Sequence, residues 1–335
     1  MSYPEAELAK SRGEVVAITG ASAGLGRAIA HEFARHGASV GLIARGQERL
    51  DHAVSEMNEL GVKAVAVSAD VADSGQVERA AGEIEAALGP IDVWVNNAMT
   101  TVFGQFTDLT PEEYRRVTEV TYLGAVWGTM AALRHMLPRN SGSIVQVGSA
   151  LAYRSIPLQS AYCGAKHAIA GFTDSLRTEL IHRKSKVHLS MVQMPALNTP
   201  QFSWCRSHMP RSPQPVPPIF NPEGPAQAVY WAAHHHPREV YYGLSTRAAI
   251  TGNQVIPGLL DTYLGKTGYE AQQTDAPTAG DRVDNLFSPA PGAFGAHGQF
   301  DRRAKNRGYH PVSRAALATA GLVLGLALAR RHAWR

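Results

Sequence analysis

The sequence VVAITGASAGLG, at residues 15–26, decides the fold of this protein. Its first five residues are an apolar run of strand length, and a glycine-rich turn that opens into a helix follows at once. Such a turn brings backbone N–H groups and the positive end of a helix dipole to one place, where a pyrophosphate can bind. The pattern therefore favours a dinucleotide site over an ordinary glycine-rich turn. The candidate cofactor contacts are Gly20, Ser22, Gly24, Leu25 and Gly26.

Apolar runs of strand length alternate with longer amphipathic stretches from residue 15 to about residue 192. Near-continuous apolar runs are typical of parallel strands covered on both faces, and the alternation is that of βαβ units. We predict strands at Val15–Thr19, Ser39–Ala44, Ala64–Ser68, Ile91–Val95, Ser143–Val147 and Val187–Val192. We predict helices at Gly24–His36, Gln47–Leu60, Ser74–Leu88, Pro111–Leu137 and Gln159–Arg183. The expected fold class is α/β, a doubly wound parallel sheet (Rossmann fold), as a single main domain with a C-terminal extension.

The composition changes after Pro195, since seven of the 20 prolines lie between Pro210 and Pro225. This segment cannot be a helix or a central strand. Large apolar neighbours favour a loop packed over a pocket, with a disordered linker as the alternative, so we predict a lid at 200–225. A short helix at Pro225–His236 and a strand at Val240–Gly243 are expected to complete the sheet. The main domain then covers 1–268, an irregular polar extension 269–311, and a hydrophobic helix 312–335.

Composition and charge exclude several classes of function. The 335 residues are 44% hydrophobic, enough for a substantial core. Net charge is +4, but residues 301–335 hold eight bases and one acid, which leaves 24 bases against 27 acids elsewhere. A body at −3 gives no reason to expect nucleic-acid binding.

Cysteine, histidine and the N-terminal sequence give no sign of a metal site or of secretion. Two cysteines, Cys163 and Cys205, fit neither a disulfide framework nor a zinc pattern. Three adjacent histidines at 234–236 point in different directions on a helix, so no metal site is predicted. The N-terminal residues lack the apolar core of a secretory signal, so we expect a cytoplasmic body.

The end of the second predicted strand bears on cofactor choice. An acid there would bind the ribose 2′-hydroxyl of NAD, but the sequence is Ile43-Ala44-Arg45. The planar guanidinium of Arg45 suits a 2′-phosphate, which predicts NADP(H). The alternative is that Arg45 is a solvated residue at a helix start.

Polar residues that suit proton transfer lie on one predicted helix and at the ends of two predicted strands. Tyr162 and Lys166 lie four apart on one face of the fifth predicted helix, Ser149 closes the strand before it, and Asn96-Asn97-Ala98 closes the fourth strand. All lie where the carboxyl ends of strands form the ligand crevice of an open α/β sheet. At this conjunction the sequence resembles the short-chain dehydrogenase/reductase family, over roughly residues 14–199.

The resemblance implies an assignment of catalytic roles. Tyr162 would be the acid/base that gives a proton to a carbonyl oxygen while a nicotinamide delivers hydride to the carbon. Lys166 would lower the pKa of that tyrosine and hold the nicotinamide ribose, and Ser149 would hydrogen-bond the substrate oxygen. The resemblance also implies that cofactor contacts are made by Asp70, Val71, Asn97, Tyr162, Lys166 and Thr199.

Three positions depart from the pattern of that family. Thr121 stands where the family usually has the asparagine of its proton relay. A threonine could keep a bound water through its backbone carbonyl, so Thr121 is a catalytic candidate whose relay is in doubt. Met99 replaces a glycine, and Pro195-Ala196 replaces Pro-Gly. These changes make the pocket edge bulkier, and they affect substrate shape more than reaction class.

The C-terminal stretch AALATAGLVLGLALA, residues 315–329, is apolar all round and has arginines on both sides. A helix of this length spans about 22 Å, less than the ~30 Å hydrocarbon core, but flanking arginines and Trp334 could extend it. We expect membrane attachment through it. The alternative is a helix buried against the body or another subunit.

Together these features predict an NADP(H)-dependent oxidoreductase that interconverts a carbonyl and an alcohol on a small lipophilic substrate. A catalytically silent NADP(H)-binding sensor or scaffold at the membrane is the alternative, and a dehydratase or epimerase on the same fold is a third hypothesis. The family commonly pairs its fourth and fifth helices, so the resemblance implies a homo-oligomer.

Overall fold

The first strand, β1 (Val15–Thr19), is buried along its whole length because every side chain but the last is aliphatic and helices cover both of its faces. The computed structural model describes residues 13–280 and 282–309. The further strands are β2 Ser39–Ala44, β3 Ala64–Ser68, β4 Val93–Asn96, β5 Val102–Phe103, β6 Gly142–Ser149, β7 Val187–Met194, β8 Ala196–Leu197, β9 Arg206–Ser207, β10 Arg211–Pro213, β11 Ile219–Phe220, β12 Glu239–Tyr241 and β13 Gln273–Pro277.

Helices connect these strands. The α-helices are α1 Gly24–Arg35, α2 Gln47–Glu59, α3 Ser74–Leu88, α4 Pro111–Val117, α5 Gly124–Arg139, α6 Ser160–His182, α7 Gln201–Trp204, α8 Glu223–His235, α9 Leu244–Val255 and α10 Pro257–Ala271. A π-helical turn at Thr118–Leu123 joins α4 to α5, and short 3-10 turns lie at Phe106–Asp108 and Ala150–Ala152.

Seven strands of the described chain form one parallel sheet in the order β12-β7-β6-β4-β1-β2-β3. The strand order reverses between β1 and β4, which opens a crevice beyond their carboxyl ends. Buried side chains of α1, α2 and α8 cover one face of the sheet, and those of α3, α5 and α6 cover the other. The predicted fold class, a doubly wound α/β sheet, is confirmed.

Local signals set several helix starts. The side chain of Asp73 accepts a hydrogen bond from the Gln76 N–H at 3.0 Å and caps α3. At α4, the Thr110 hydroxyl accepts from the Glu113 N–H while the Glu113 carboxylate accepts from the Thr110 N–H. Such reciprocal caps satisfy N–H groups that a helix start leaves unpaired.

Two predictions about the chain after residue 110 are wrong in detail. The single helix predicted at Pro111–Leu137 is interrupted by the π-helical turn. The segment predicted to be irregular begins inside α10 and contains β13, which pairs antiparallel with β10 of the proline-rich lid. The side chains of β13 are polar and give no strand signal in the sequence, and its partner strand lies some 60 residues earlier.

The remainder of the predicted extension packs on the main domain. Leu286 is fully buried, and Ala290 and Phe300 are nearly so, although the described residues 278–280 and 282–309 form neither helix nor extended strand pairing. Within residues 13–280 and 282–309, no helix combines the length and apolarity that crossing a membrane requires. The C-terminal segment 312–335 lies outside the described residues.

Candidate active site

The glycine-rich turn after β1 is tight because its backbone adopts conformations that suit glycine. Gly20 and Gly24 have φ values of +68° and +59°. A Cβ on Gly20 would lie 2.8 Å from the Cα of Ala98, and a Cβ on Gly26 would lie 2.2 Å from the carbonyl oxygen of Gly20. The turn and the first residues of α1 therefore pack against β1 and the end of β4 with no room for a side chain.

Replacing Gly26 with alanine is expected to lower the free energy of unfolding by about 1–3 kcal/mol, because the new methyl group would lie 2.2 Å from the backbone oxygen of Gly20 and 2.6 Å from the Asn97 Nδ2, which is itself held by hydrogen bonds. Gly82→Ala is the matched control. Gly82 lies on the exposed side of α3 with open space around it, so this change should raise stability by up to about 1 kcal/mol. Urea unfolding measures both, and equal stability of the two variants would contradict the packing role of Gly26.

Asn97 ties the turn to the end of β4. Its side-chain Nδ2 donates to the carbonyl oxygens of Thr19, at 3.0 Å, and Gly20, at 3.3 Å. The Thr19 hydroxyl accepts from the backbone N–H groups of Asn97 and Ala98, at 3.0 and 3.1 Å. These bonds hold the two strand ends that border the crevice in one position.

The crevice contains a cavity of about 470 Å³. It brings together twelve of the fourteen candidate residues, from the glycine turn to the catalytic helix. Those that line it are Gly20, Ser22, Gly24, Leu25, Arg45, Asp70, Val71, Asn97, Ser149, Tyr162, Lys166 and Thr199. The other two, Gly26 and Thr121, are absent from its described lining.

Ser149 ends β6, and its hydroxyl oxygen accepts a hydrogen bond from the Leu151 N–H at 3.1 Å. Tyr162 and Lys166 lie on α6, one helical turn apart, with the Lys166 Nζ 5.6 Å from the centre of the Tyr162 ring. Lys166 donates to the carbonyl oxygen of Val147 at 2.7 Å. The three side chains thus meet on one wall of the cavity, as the sequence predicts.

Burial sets the protonation of this group. It raises the pKa of Tyr162 well above its usual value near 10, against the smaller, opposite effect of a hydrogen bond with Ser149. Burial lowers the pKa of Lys166 to about 8. At neutral pH Tyr162 therefore holds its proton and Lys166 is still mostly charged, which suits proton donation by the tyrosine.

Thr121 does not reach the cavity with its side chain. It is fully buried in the π-helical turn, where its hydroxyl donates to the Thr100 carbonyl oxygen at 2.9 Å and accepts from the Thr100 N–H at 3.1 Å. Its neighbour Val120 lines the cavity instead. The π-helical turn thus directs the Thr121 side chain to Thr100, and the role predicted for Thr121, holding a water through its backbone carbonyl, stays a prediction.

The end of the cavity lined by Arg45, Asp70 and Val71, here called the adenosine side because a dinucleotide would place its adenosine there, holds residues that sequence reasoning missed. Asn285 and Pro289 line it opposite the sheet, next to Arg49 of α2. Asp70 accepts a charged hydrogen bond from Arg116. The side chains around residue 285 could not predict that this segment lies at the site, because its contacts there are made largely by backbone carbonyls.

The far end of the cavity is apolar and partly built by the proline-rich lid. Gln214 Nε2 donates to the carbonyl oxygen of Gln273 at 2.8 Å, which fastens the lid to β13. The lining side chains here are apolar or neutral, and the charged ones lie at the glycine-turn end and on α6. The apolar set comprises Met99, Leu151, Ile156, Met194, Pro195, Ala196, Leu197, Phe202, Pro215, Val216, Pro217, Pro218 and Ala249.

Comparison with known proteins gives a consistent result. A family profile described as short chain dehydrogenase matches residues 14–209. The chain is 31% identical over 325 residues to the uncharacterized oxidoreductase YxnA of Bacillus subtilis (strain 168), a match that covers 96% of this chain and 90% of that protein.

Two further relatives have names that state an activity. The chain is 32% identical over 199 residues to a 3-dehydrosphinganine reductase of Danio rerio, covering 58% of this chain and 59% of that protein. It is 29% identical over 247 residues to a fatty acyl-CoA reductase of Acinetobacter baylyi, covering 72% of this chain and 79% of that protein. The chain thus spans just over half the length of the first of these two relatives.

Proposed function

This chain belongs to the short-chain dehydrogenase/reductase family of oxidoreductases, and on that premise we propose that it interconverts a carbonyl and an alcohol with NADP(H), acting on a lipophilic substrate. The observation that supports this most directly is the meeting of Ser149, Tyr162 and Lys166 on one wall of a cavity whose other end is the glycine-rich turn. The family uses a nicotinamide nucleotide, and Gly20, Gly24 and Asn97 line the cavity in which such a ligand would lie.

In this proposal Tyr162 is the catalytic acid. The bound nicotinamide supplies a hydride to the carbonyl carbon. The Tyr162 hydroxyl gives its proton to the carbonyl oxygen, so that the C=O bond becomes a CH–OH group, and Tyr162 regains a proton from solvent. Ser149 orients the same oxygen by a hydrogen bond. The Lys166 ammonium, held by the Val147 carbonyl, favours the charged form of the tyrosine that results.

Arg45 supports the choice of NADP(H). It follows β2 directly, lines the cavity, and takes the place where an acid would bind the ribose 2′-hydroxyl of NAD. Within residues 13–280 and 282–309, no carboxylate lies within 4.0 Å of its guanidinium. A guanidinium that no described carboxylate contacts suits the doubly charged 2′-phosphate, and Asp70, whose charge acts on Arg45 from farther away, is itself paired with Arg116.

The lining of the far end supports a lipophilic substrate. Desolvating a charged substrate against aliphatic and proline side chains would cost free energy that these residues cannot offset, whereas an alkyl chain gains by burial. The names of two relatives, which refer to a dehydrosphinganine and a fatty acyl-CoA, agree with this class.

One observation favours a second candidate, a catalytically silent NADP(H)-binding sensor. Thr121 replaces the asparagine that the family usually has in its proton relay, and its hydroxyl is engaged with the backbone of Thr100. A sensor would bind NADPH without turning over any carbonyl compound. The Tyr162 experiment described in the Discussion separates the two functions.

Membrane attachment through residues 315–329 is part of the proposal. Deleting residues 312–335 is expected to move the protein from the membrane fraction to the supernatant, because the deletion removes the apolar stretch and its flanking arginines. Immunoblots of fractionated cells measure the shift. A deletion variant that distributes like the full chain would contradict the anchor.

Assembly into a homo-oligomer is also proposed. Met130 on α5 and Ile181 on α6 expose about half or more of their surface, at 48% and 69%. A second copy that pairs these helices would cover both side chains.

A further inference from the structure

Residues 284–298, here called the strap, cross the adenosine side of the cavity without helix or strand. Two anchors hold the start of the strap. Leu286 is fully buried in a cluster with Val102, Val117 and Ala161. Asp284 forms an ion pair with Arg206 at 2.8 Å.

Backbone carbonyls of the strap accept hydrogen bonds from Arg45. The Nη1 group of Arg45 donates to the carbonyl oxygens of Leu286, at 3.3 Å, and Phe287, at 3.0 Å, and its Nη2 group donates to that of Asn285. Neutral carbonyls therefore accept the hydrogen bonds of the Arg45 guanidinium, and no carboxylate of the described residues is in contact with it. Hydrogen bonds between a guanidinium and a phosphate are about twice as strong as those between neutral groups.

The strap also reaches the helix end at which a pyrophosphate would bind. The carbonyl oxygen of Gly295 accepts from the Gly24 N–H at 3.0 Å. Between these two contacts, Arg49 donates to the carbonyl oxygen of Ala290 and lies over the Phe294 ring. The Nε of Arg49 is buried and has no hydrogen-bond partner among the described residues. Strap carbonyls thus accept hydrogen bonds from donors that would otherwise bind an anionic ligand.

We propose that the strap competes with the cofactor 2′-phosphate for Arg45 and so helps to determine the choice between NADP(H) and NAD(H). This inference rests on the proposed function. NADP(H) has to draw Arg45 away from the carbonyls of residues 285–287, whereas NAD(H) carries only a hydroxyl at this position and leaves those bonds in place. The strap contacts with Gly24 and Arg49 would oppose both nucleotides alike. The contacts with Arg45 oppose NADP(H) alone, and its apparent affinity is proportional to the fraction of molecules in which Arg45 is free, so a looser start of the strap must favour NADP(H) over NAD(H).

The test is a titration of Leu286→Ala with NADPH and with NADH, followed by nucleotide fluorescence. Removing the buried anchor should tighten NADPH binding, and should do so by about fivefold more than it tightens NADH binding, so the ratio of the two Kd values is the readout. Val283→Ala is the matched control, because Val283 precedes the strap and is 56% exposed, and it should behave like the wild type. NADPH binding that is unchanged or weaker in Leu286→Ala would overturn the competition.

Hydrogen exchange of the wild-type protein gives a second readout that needs no variant. Amides of residues 284–290 should exchange faster in the NADPH complex than in the NADH complex, because the strap no longer bonds to Arg45 there. Equal or slower exchange in the NADPH complex overturns the proposal even if Leu286→Ala does not fold. If the wild type prefers NADPH but neither test gives the expected result, only the competition by the strap is refuted. A wild type that binds neither nucleotide would refute the proposed function as well.

Discussion

Replacing Tyr162 with phenylalanine is expected to reduce turnover by about 10²–10⁴-fold, because the substitution deletes the proton donor and changes little else. The ring stays in its cluster with Val117 and Ala161, so the cavity keeps its shape. NADPH binding should therefore persist within about threefold, since the tyrosine hydroxyl offers the nucleotide only one neutral hydrogen bond. Loss of NADPH absorbance with a panel of long-chain aldehydes and ketones measures turnover, and fluorescence titration measures binding.

Tyr114→Phe is the matched control for this experiment. Tyr114 packs in the same small cluster as Tyr162, but it does not line the cavity. It should keep nearly full activity. A Tyr162→Phe enzyme that retains a tenth or more of wild-type turnover would contradict the acid/base role. A wild type that binds NADPH tightly but turns over no compound on the panel would instead favour the silent sensor.

Replacing Arg45 with alanine is expected to weaken NADPH binding by about 10–100-fold and NADH binding by no more than about threefold. The reason is that only NADPH presents a phosphate to the guanidinium, and each charge-assisted hydrogen bond contributes about 1.5–3 kcal/mol. The ratio of the two dissociation constants is the relevant measurement, because it cancels any general effect on the cleft. Steady-state KM values for the two cofactors should change in the same ratio.

Arg115→Ala controls for the loss of positive charge, since Arg115 is exposed on α4 and does not line the cavity. It should leave both dissociation constants unchanged. A wild type with a clear preference for NADH would refute the assignment of Arg45, and so would an Arg45→Ala variant with the wild-type ratio. Neither result would bear on Tyr162, so the two predictions fail independently.

Much of the fold follows from local sequence. The bounds predicted for β1, β2 and β3 agree with the structure at every residue, since each is an apolar run closed by a turn. Ser149, Tyr162 and Lys166 could be chosen because strand ends and helix periodicity place them at one edge of the sheet. The π-helical turn around Thr121 could not be predicted, because one extra residue in a helix leaves no clear mark in the apolar pattern.

The sequence by itself determined the order of the elements, the glycine turn and the residue types of the cavity wall formed by Ser149, Tyr162 and Lys166. All of these depend on side chains that are close together in the chain or repeat with a helix or strand period. Only the tertiary structure decided what Arg45 contacts. Its partners lie some 240 residues away along the chain, and they are backbone carbonyls. Every residue type provides a backbone carbonyl, so no pattern of side chains can show in advance which segment will supply it.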